Sequence, residues 1–302
     1  MFTFDSGRLK PIWSFLLSAA FSLAAFLVCA YIAYPLAGEH VLRFELIFRP
    51  LLAAALFGVY VWLLTIADQI GGHRAAILGF PLADGWARQL LGGCLLGLGL
   101  TILAIVPVAI WANVTVNIPK FTHRTALRVM AVLIVLICGA LAEELMFRGY
   151  PFQRLEEAIG PAGAIGLFSV LFGAVHLMNP GATPLGLLNT VLIGAVLALA
   201  YLRTRALWLC WGIHFGWNAS LGLLSGFPVS GLRIFNVVVR SSANGARWLT
   251  GGSYGVEASA PGAAAVVLGL LVIWRWPVRV LGKSLSDASE PERLDGTDGM
   301  QD

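Results

Sequence analysis

The sequence predicts an all-α fold: a polytopic transmembrane helix bundle of about eight spanning helices around a polar intramembrane cavity. Three observations carry this. Of the 302 residues, 58% are hydrophobic and only 12% are charged, about half the charge of an ordinary soluble domain. Eight apolar segments approach the roughly 20 residues that a helix needs to cross a bilayer. Polar residues then cluster inside three of these segments, where lipid alone would exclude them. The same composition excludes intrinsic disorder. No clustered basic face is present, which argues against nucleic acid as a partner.

The segments run roughly over 12–36, 47–67, 88–112, 127–150, 162–178, 184–202, 206–226 and 262–279. Arg8 and Lys10 precede the first, and the apolar stretch Pro11–Ala37 exceeds the ~7–15 residues of a signal-peptide core. It therefore reads as a retained helix. Gly93 and Gly97 in the third give the GxxxG spacing of close helix packing. Gly160-Pro161 marks the turn between the fourth and fifth. Pro151 marks a kink point at Tyr150. The stretch 226–261 carries Arg233, Arg240 and Arg247 among many Gly and Ser residues and reads as an extramembrane loop or lid. Residues 1–282 thus form one transmembrane domain. Residues 283–302 form a polar acidic tail, expected to be disordered, because six of the 16 acids follow position 286. No internal repeat is visible, which counts against an inverted-repeat transporter.

Orientation follows from Lys and Arg. With a cytoplasmic N-terminus, 12 of the 20 basic residues fall inside and 8 outside, three of those in the long 226–261 connection where the positive-inside rule is less binding. Both termini are therefore expected in the cytoplasm. The basic residues are 17 Arg and 3 Lys, a bias that suits a GC-rich bacterial genome and hence a bacterial inner membrane. The four cysteines, Cys29, Cys94, Cys138 and Cys210, lie far apart in apolar runs. Their spacing suits neither a metal nor a redox pair, so they read as small buried hydrophobes. His40, His73 and His123 fall in expected loops, and Asn113-Val114-Thr115 is a glycosylation sequon only in a secretory lumen.

The first polar cluster is Glu143-Glu144-Leu145-Met146-Phe147-Arg148, reached after fourteen uncharged residues, Val129 to Ala142. Adjacent helical residues point about 100° apart, so the two glutamates face different neighbours. Glu144 and Arg148 are four apart with the acid first, the favourable order for an ion pair on one face. Glu143 has no local partner and is expected to face a reaction site. The second cluster ends in His176, four residues after Phe172. The third is His214-Phe215-Gly216-Trp217-Asn218, whose His and Asn share one helix face. Glu143 lies 17 residues before Gly160 and His176 lies 16 after it, similar depths in an antiparallel hairpin. Taken singly, the clusters also fit an interfacial helix end, a core histidine and an interhelical hydrogen-bond pair.

Together, Glu-Glu-x-x-x-Arg, Phe-x-x-x-His and His-x-x-x-Asn, in that order on separate helices, resemble the CAAX protease and bacteriocin-processing (CPBP, or Abi) family of intramembrane proteases. That family includes the Rce1-type prenyl-protein endopeptidases. The motifs span Glu143 to Asn218, about a quarter of the chain. The resemblance implies that Glu143 and His176 hold and activate the attacking water. It also implies that His214 and Asn218 stabilise the oxyanion, that Glu144 and Arg148 support the site, and that Phe172 packs beside it. Amide hydrolysis needs a base, a water and donors aimed at the oxyanion. Metal-free chemistry with no cofactor is favoured. A zinc site formed by Glu143, His176 and His214 stays open as the alternative, although no His-Glu-x-x-His helix is present. The expected partners are the lipid bilayer and a membrane-associated peptide or protein substrate. Two other readings compete: a non-catalytic membrane scaffold or immunity factor that binds a peptide, and a proton-coupled transporter using the intramembrane acid.

Overall fold

The computed structural model describes residues 4–5, 8–67, 77–275 and 280–281. The acidic tail 283–302 and His73 lie outside the described residues, as does the end of the eighth expected segment, 276–279. The main elements are α1 (Pro11–Ala37), α2 (Val41–Ile66), α3 (Trp86–Trp111), α4 (His123–Arg148), α5 (Tyr150–Val175), α6 (Pro184–Thr204), α7 (Leu207–Ala219) and α8 (Ala260–Arg275). Two short antiparallel ladders accompany them, with a one-turn helix at Arg247–Thr250 and a 3-10 turn at Val256–Ala258. One pairs β1 (Phe4–Asp5) with β2 (Arg8–Leu9), and the other pairs β3 (Asn113–Asn117) with β4 (Arg240–Asn244). The eight expected segments each have a helix, so the chain is an all-α bundle. Five helical stretches are long and apolar enough to cross a membrane, one of them the continuous run His123–Val175.

That run is two helices and more. The backbone leaves helical geometry at Gly149 (ψ −145°), beside the expected Pro151 kink, and reverses at Gly160. Gly160 has φ +82°, a conformation that a Cβ would penalise. Pro161 follows with its fixed φ and opens the next helical stretch. Helix starts carry chemical signals. The α4 helix begins at His123, four residues earlier than the apolar pattern implies. Thr122 and Thr125 form a capping box there and satisfy the first amide groups. Thr183 caps α6 by accepting from Gly186 N, and Pro184 sits at the first helical position. The α2 helix also begins early, at Val41 rather than 47, taking Arg43, Glu45 and Arg49 into its first turns.

Polarity along the helices is inside-out, as lipid requires. The α1 helix buries Ser14, Ser18 and Ser22 and exposes Leu16, Leu23, Leu27 and Val28. Small polar residues let backbones approach and find internal partners. Ser22 Oγ, for example, lies 2.7 Å from Tyr60 Oη of α2. The most extensive helix pair is α3 with α7. At Gly93 a Cβ would lie 2.5 Å from Leu209 O and 2.8 Å from Ile213 N, and at Gly97 it would lie 2.6 Å from Trp217 N. Gly212 and Gly216 oppose them on α7 with equally little room. The spacing seen in α3 is therefore matched by a second small-residue stripe on its partner, and the two backbones meet directly.

The α7 helix does not end cleanly. After Ala219 the chain makes a π-helical turn, Ser220–Leu224, a local widening that recurs at functional sites. The connection that follows is not a featureless loop. Its strand β4 pairs in register with β3, from Asn113 opposite Asn244 to Asn117 opposite Arg240. Its start is tied back by Ser241 N donating to Gly226 O at 2.8 Å and by the Asn236 amide donating to the same carbonyl. This connection thus folds over one end of the bundle, anchored to the α3–α4 link.

Candidate active site

The two adjacent glutamates on α4 diverge as their 100° offset requires. Glu144 turns into the bundle, where it and Arg148 are both fully buried. One oxygen, Oε1, accepts from Arg148 Nη1 at 3.3 Å and from His214 Nδ1 at 2.7 Å. Arg148 Nη2 donates to Gly194 O of α6 at 2.9 Å, and its guanidinium carbon lies 4.7 Å from the Phe172 ring centroid. The expected Glu144–Arg148 pair is therefore present, and it binds α4 to α6 and α7. Charged hydrogen bonds of this kind are strong where no water competes.

Glu143 faces a cavity, and it has a partner that sequence spacing could not reveal. Arg49 of α2, 94 residues earlier, donates from Nη1 to Glu143 Oε1 at 2.8 Å, and its Nε donates to Glu45 at 2.7 Å. The signal was the Glu45-x-x-x-Arg49 pair, a helix-spaced acid and base at the edge of an apolar run. The other Glu143 oxygen, Oε2, lies 3.6 Å from His214 Nε2. His214 thus stands between the two glutamates, with Nδ1 toward Glu144 and Nε2 toward Glu143.

His176 follows the last residue of α5. Its Nδ1 lies 2.7 Å from Phe172 O. A carbonyl only accepts, so Nδ1 carries the proton and Nε2 of the neutral ring is left as an acceptor. Phe172 is buried between the two histidines, its ring centroid 4.9 Å from that of His176 and 6.0 Å from that of His214. Asn218, one turn beyond His214, makes no side-chain hydrogen bond among the described residues.

Glu143, His176, His214 and Asn218 all line one cavity of about 640 Å³. The rest of its wall is mostly apolar, with Phe26, Phe44, Phe48, Phe147 and Phe168 prominent. A second, narrow cavity of about 40 Å³ also touches His176, His214, Asn218 and Ser230. It is large enough for a water molecule. Its far wall contains Asn189, whose buried Oδ1 lacks a protein partner, and Glu257. Glu257 precedes α8, outside the spanning helices, and gave no sequence signal as a lone acid in a Gly, Ser and Ala setting. It accepts from Trp217 Nε1 at 2.9 Å and from Ser230 N. Burial pushes its carboxyl above the usual carboxylate range, against the opposing pull of these two donors.

Among the described residues, no group of three or more His, Cys, Asp and Glu side chains is arranged to hold a metal ion. Glu143 is committed to Arg49, His214 Nδ1 to Glu144 and His176 Nδ1 to a carbonyl. These contacts engage Glu143 Oε1 and the Nδ1 atoms of both histidines, and none of them uses Glu143 Oε2 or a histidine Nε2. The cysteines are free, and Cys29 and Cys210 are buried.

Residues 125–220 match the family model of the type II CAAX prenyl endopeptidases, described as Rce1-like. The match covers about a third of the chain and contains all three motifs. The motif core is thus similar to the type II CAAX prenyl endopeptidases of the Rce1-like model. Arg49, the 225–259 connection and Glu257 lie outside the matched residues. No curated protein and no solved structure matches the chain.

Proposed function

Starting from an Rce1-like motif core, we propose that this protein is an intramembrane endopeptidase that hydrolyses a peptide bond with a water activated by Glu143 and His176. One observation carries the reading. Four polar side chains from α4, α7 and the end of α5 converge on the wall of one mostly apolar cavity between membrane helices. Polar groups in such a place are costly unless they are used or paired.

Water oxygen attacks the carbonyl carbon while its proton passes to the Glu143 carboxylate or His176 Nε2. The carbonyl oxygen becomes an oxyanion and accepts hydrogen bonds from His214 Nε2 and the Asn218 amide. The C–N bond then breaks as the captured proton moves to the leaving nitrogen. Donation from His214 Nε2 requires the doubly protonated ring, whose Nδ1–H points to the Glu144 carboxylate. Preorganised donors of this kind are typically worth 10²–10³ in rate. Arg49 holds Glu143 in one orientation at the cavity wall. The proposed mechanism is metal-free. The charge count supports both termini in the cytoplasm, and the 17 Arg against 3 Lys support a bacterial inner membrane.

The test is comparative proteomics of membrane peptides in cells carrying the wild-type protein or Glu143→Gln, with the purified proteins compared in detergent. Peptides that appear only with wild type are expected, and they name the substrate. Equal cleavage by a folded Glu143→Gln protein would overturn the reading, and a cell function that survives loss of Glu143, His176 and Asn218 would favour a peptide-binding scaffold instead.

A further inference from the structure

Beside the apolar cavity lies a second large cleft of about 870 Å³ with a different character. Its wall carries His40, Arg43, Arg128, Arg233 and Arg240 and no Asp or Glu. These residues come from three separate parts of the chain: the α1–α2 link with the first turn of α2, the start of α4, and the connection after α7. All four arginines are exposed, and among the described residues none is paired with a carboxylate. Arg233 donates only to Ser241 O, at 3.3 Å. Gathering four like charges from distant elements without a counter-charge is unfavourable by itself. An anion in the cleft would relieve it, and guanidinium groups are suited to carboxylates and phosphates.

The cleft shares its walls with the apolar cavity. At the start of α2, Arg43 faces the cleft and Phe44 the cavity. In the connection, Arg233 and Asn236 face the cleft while Leu232 and Phe235 face the cavity. One chain seated in the cavity, with its scissile bond at Glu143, would pass next to the arginines. A separate lipid headgroup has no comparable link to the site.

We propose that this cleft binds acidic side chains or a terminal carboxylate of the substrate peptide, so that the protein selects substrates that are apolar at the site and acidic beside it. The proposal rests on the endopeptidase reading above. Its probe is a peptide library prepared from a detergent-solubilised membrane proteome, incubated with purified wild type, with Glu143→Gln and with Arg43→Glu/Arg240→Glu. Cleaved ends are read by mass spectrometry. Wild type should enrich Asp, Glu or a free C-terminus at a fixed distance on one side of the cut by about tenfold, an enrichment that shrinks in high salt. The double reversal should lose that enrichment and favour Lys or Arg there. Arg43→Gln/Arg240→Gln, which adds no charge, should lose it without reversing. Absence of any Glu143-dependent cleavage would overturn the endopeptidase reading itself. Glu143-dependent cleavage with no acidic enrichment would overturn only the cleft. Activity that instead follows the anionic lipid content of phosphatidylcholine vesicles, and loses that dependence on charge reversal, would assign the cleft to a lipid and refute the peptide proposal.

Discussion

Glu144→Gln should destabilise the bundle far more than an ordinary surface change, and should do so through Arg148. Both side chains are fully buried, with 3.3 Å between Nη1 and Oε1. At an effective dielectric constant of 20 their Coulomb attraction is about 5 kcal/mol. Gln keeps one acceptor and removes the cost of burying a carboxylate, so the net loss is smaller than that figure. It also leaves Arg148 charged and buried among neutral groups, Gly194 O and the Phe172 and Phe147 rings, with no carboxylate opposite it. Breaking a buried pair in this way costs about 3–5 kcal/mol. Arg148→Met should cost less, because Glu144 keeps His214 Nδ1 as a partner at 2.7 Å. The double variant replaces the charges together and should be at least ~2 kcal/mol more stable than the sum of the singles. The assay is a double-mutant cycle on reversible unfolding in mixed micelles, followed by tryptophan fluorescence. Single effects that add within ~0.5 kcal/mol, the usual result for independent sites, would refute coupling between Glu144 and Arg148.

Other predictions follow from particular contacts. Gly97→Ala places a methyl carbon 2.6 Å from Trp217 N, so it should force α3 and α7 apart and cost about 1–3 kcal/mol in the same unfolding assay; an unchanged midpoint would contradict this packing. Asn218→Ala should lower kcat about 10²–10³-fold with little change in KM, since an oxyanion donor acts in the transition state; a pure KM effect would count against that role. Pre-treatment with a strong zinc chelator should leave Glu143-dependent cleavage within about twofold, and restoration of a lost activity by added Zn²⁺ would reverse the metal-free assignment. Glu257 gives a pH signature. Its carboxyl is raised in the fold above an unfolded value of about 4.3, so the folded protein binds more proton in the window between the two. Its contribution is therefore fully present below the unfolded value and is lost as pH rises through the folded one. Glu257→Gln should remove that decline, seen as a smaller fall in Tm with rising pH than in wild type; parallel Tm profiles would contradict it.

The motif residues were legible because charges are scarce in this chain. Glu143, Glu144 and Arg148 stood out against apolar neighbours, and helix geometry alone separated the roles of the two acids. The Glu144–Arg148 pair could be read because its partners are one turn apart. Arg49 could not be assigned to Glu143, since nothing local relates residues 94 positions apart. The 226–261 stretch read as a loop because its Gly, Ser and Arg content has no periodicity. Its pairing with β3 is a non-local ladder: β3 (Asn-Val-Thr-Val-Asn) alternates polar and apolar residues, but β4 (Arg-Ser-Ser-Ala-Asn) has one apolar residue and shows no matching pattern. Helix ends were missed by four to six residues at α2 and α4, where polar first turns and a Thr capping box extend the helix beyond its apolar run.

By itself the sequence determined the class, the eight helical segments and the three motifs, because lipid burial and the 3.6-residue turn act on neighbours in the chain. Only the tertiary structure decided which side chains meet: Arg49 with Glu143, His214 between two glutamates, Glu257 behind the site, and four arginines beside it. Those choices depend on how helices cross and where a long connection folds back. They are set by the close approach of glycine-lined backbones and by buried polar groups finding partners, and neither is written in any single stretch of the chain.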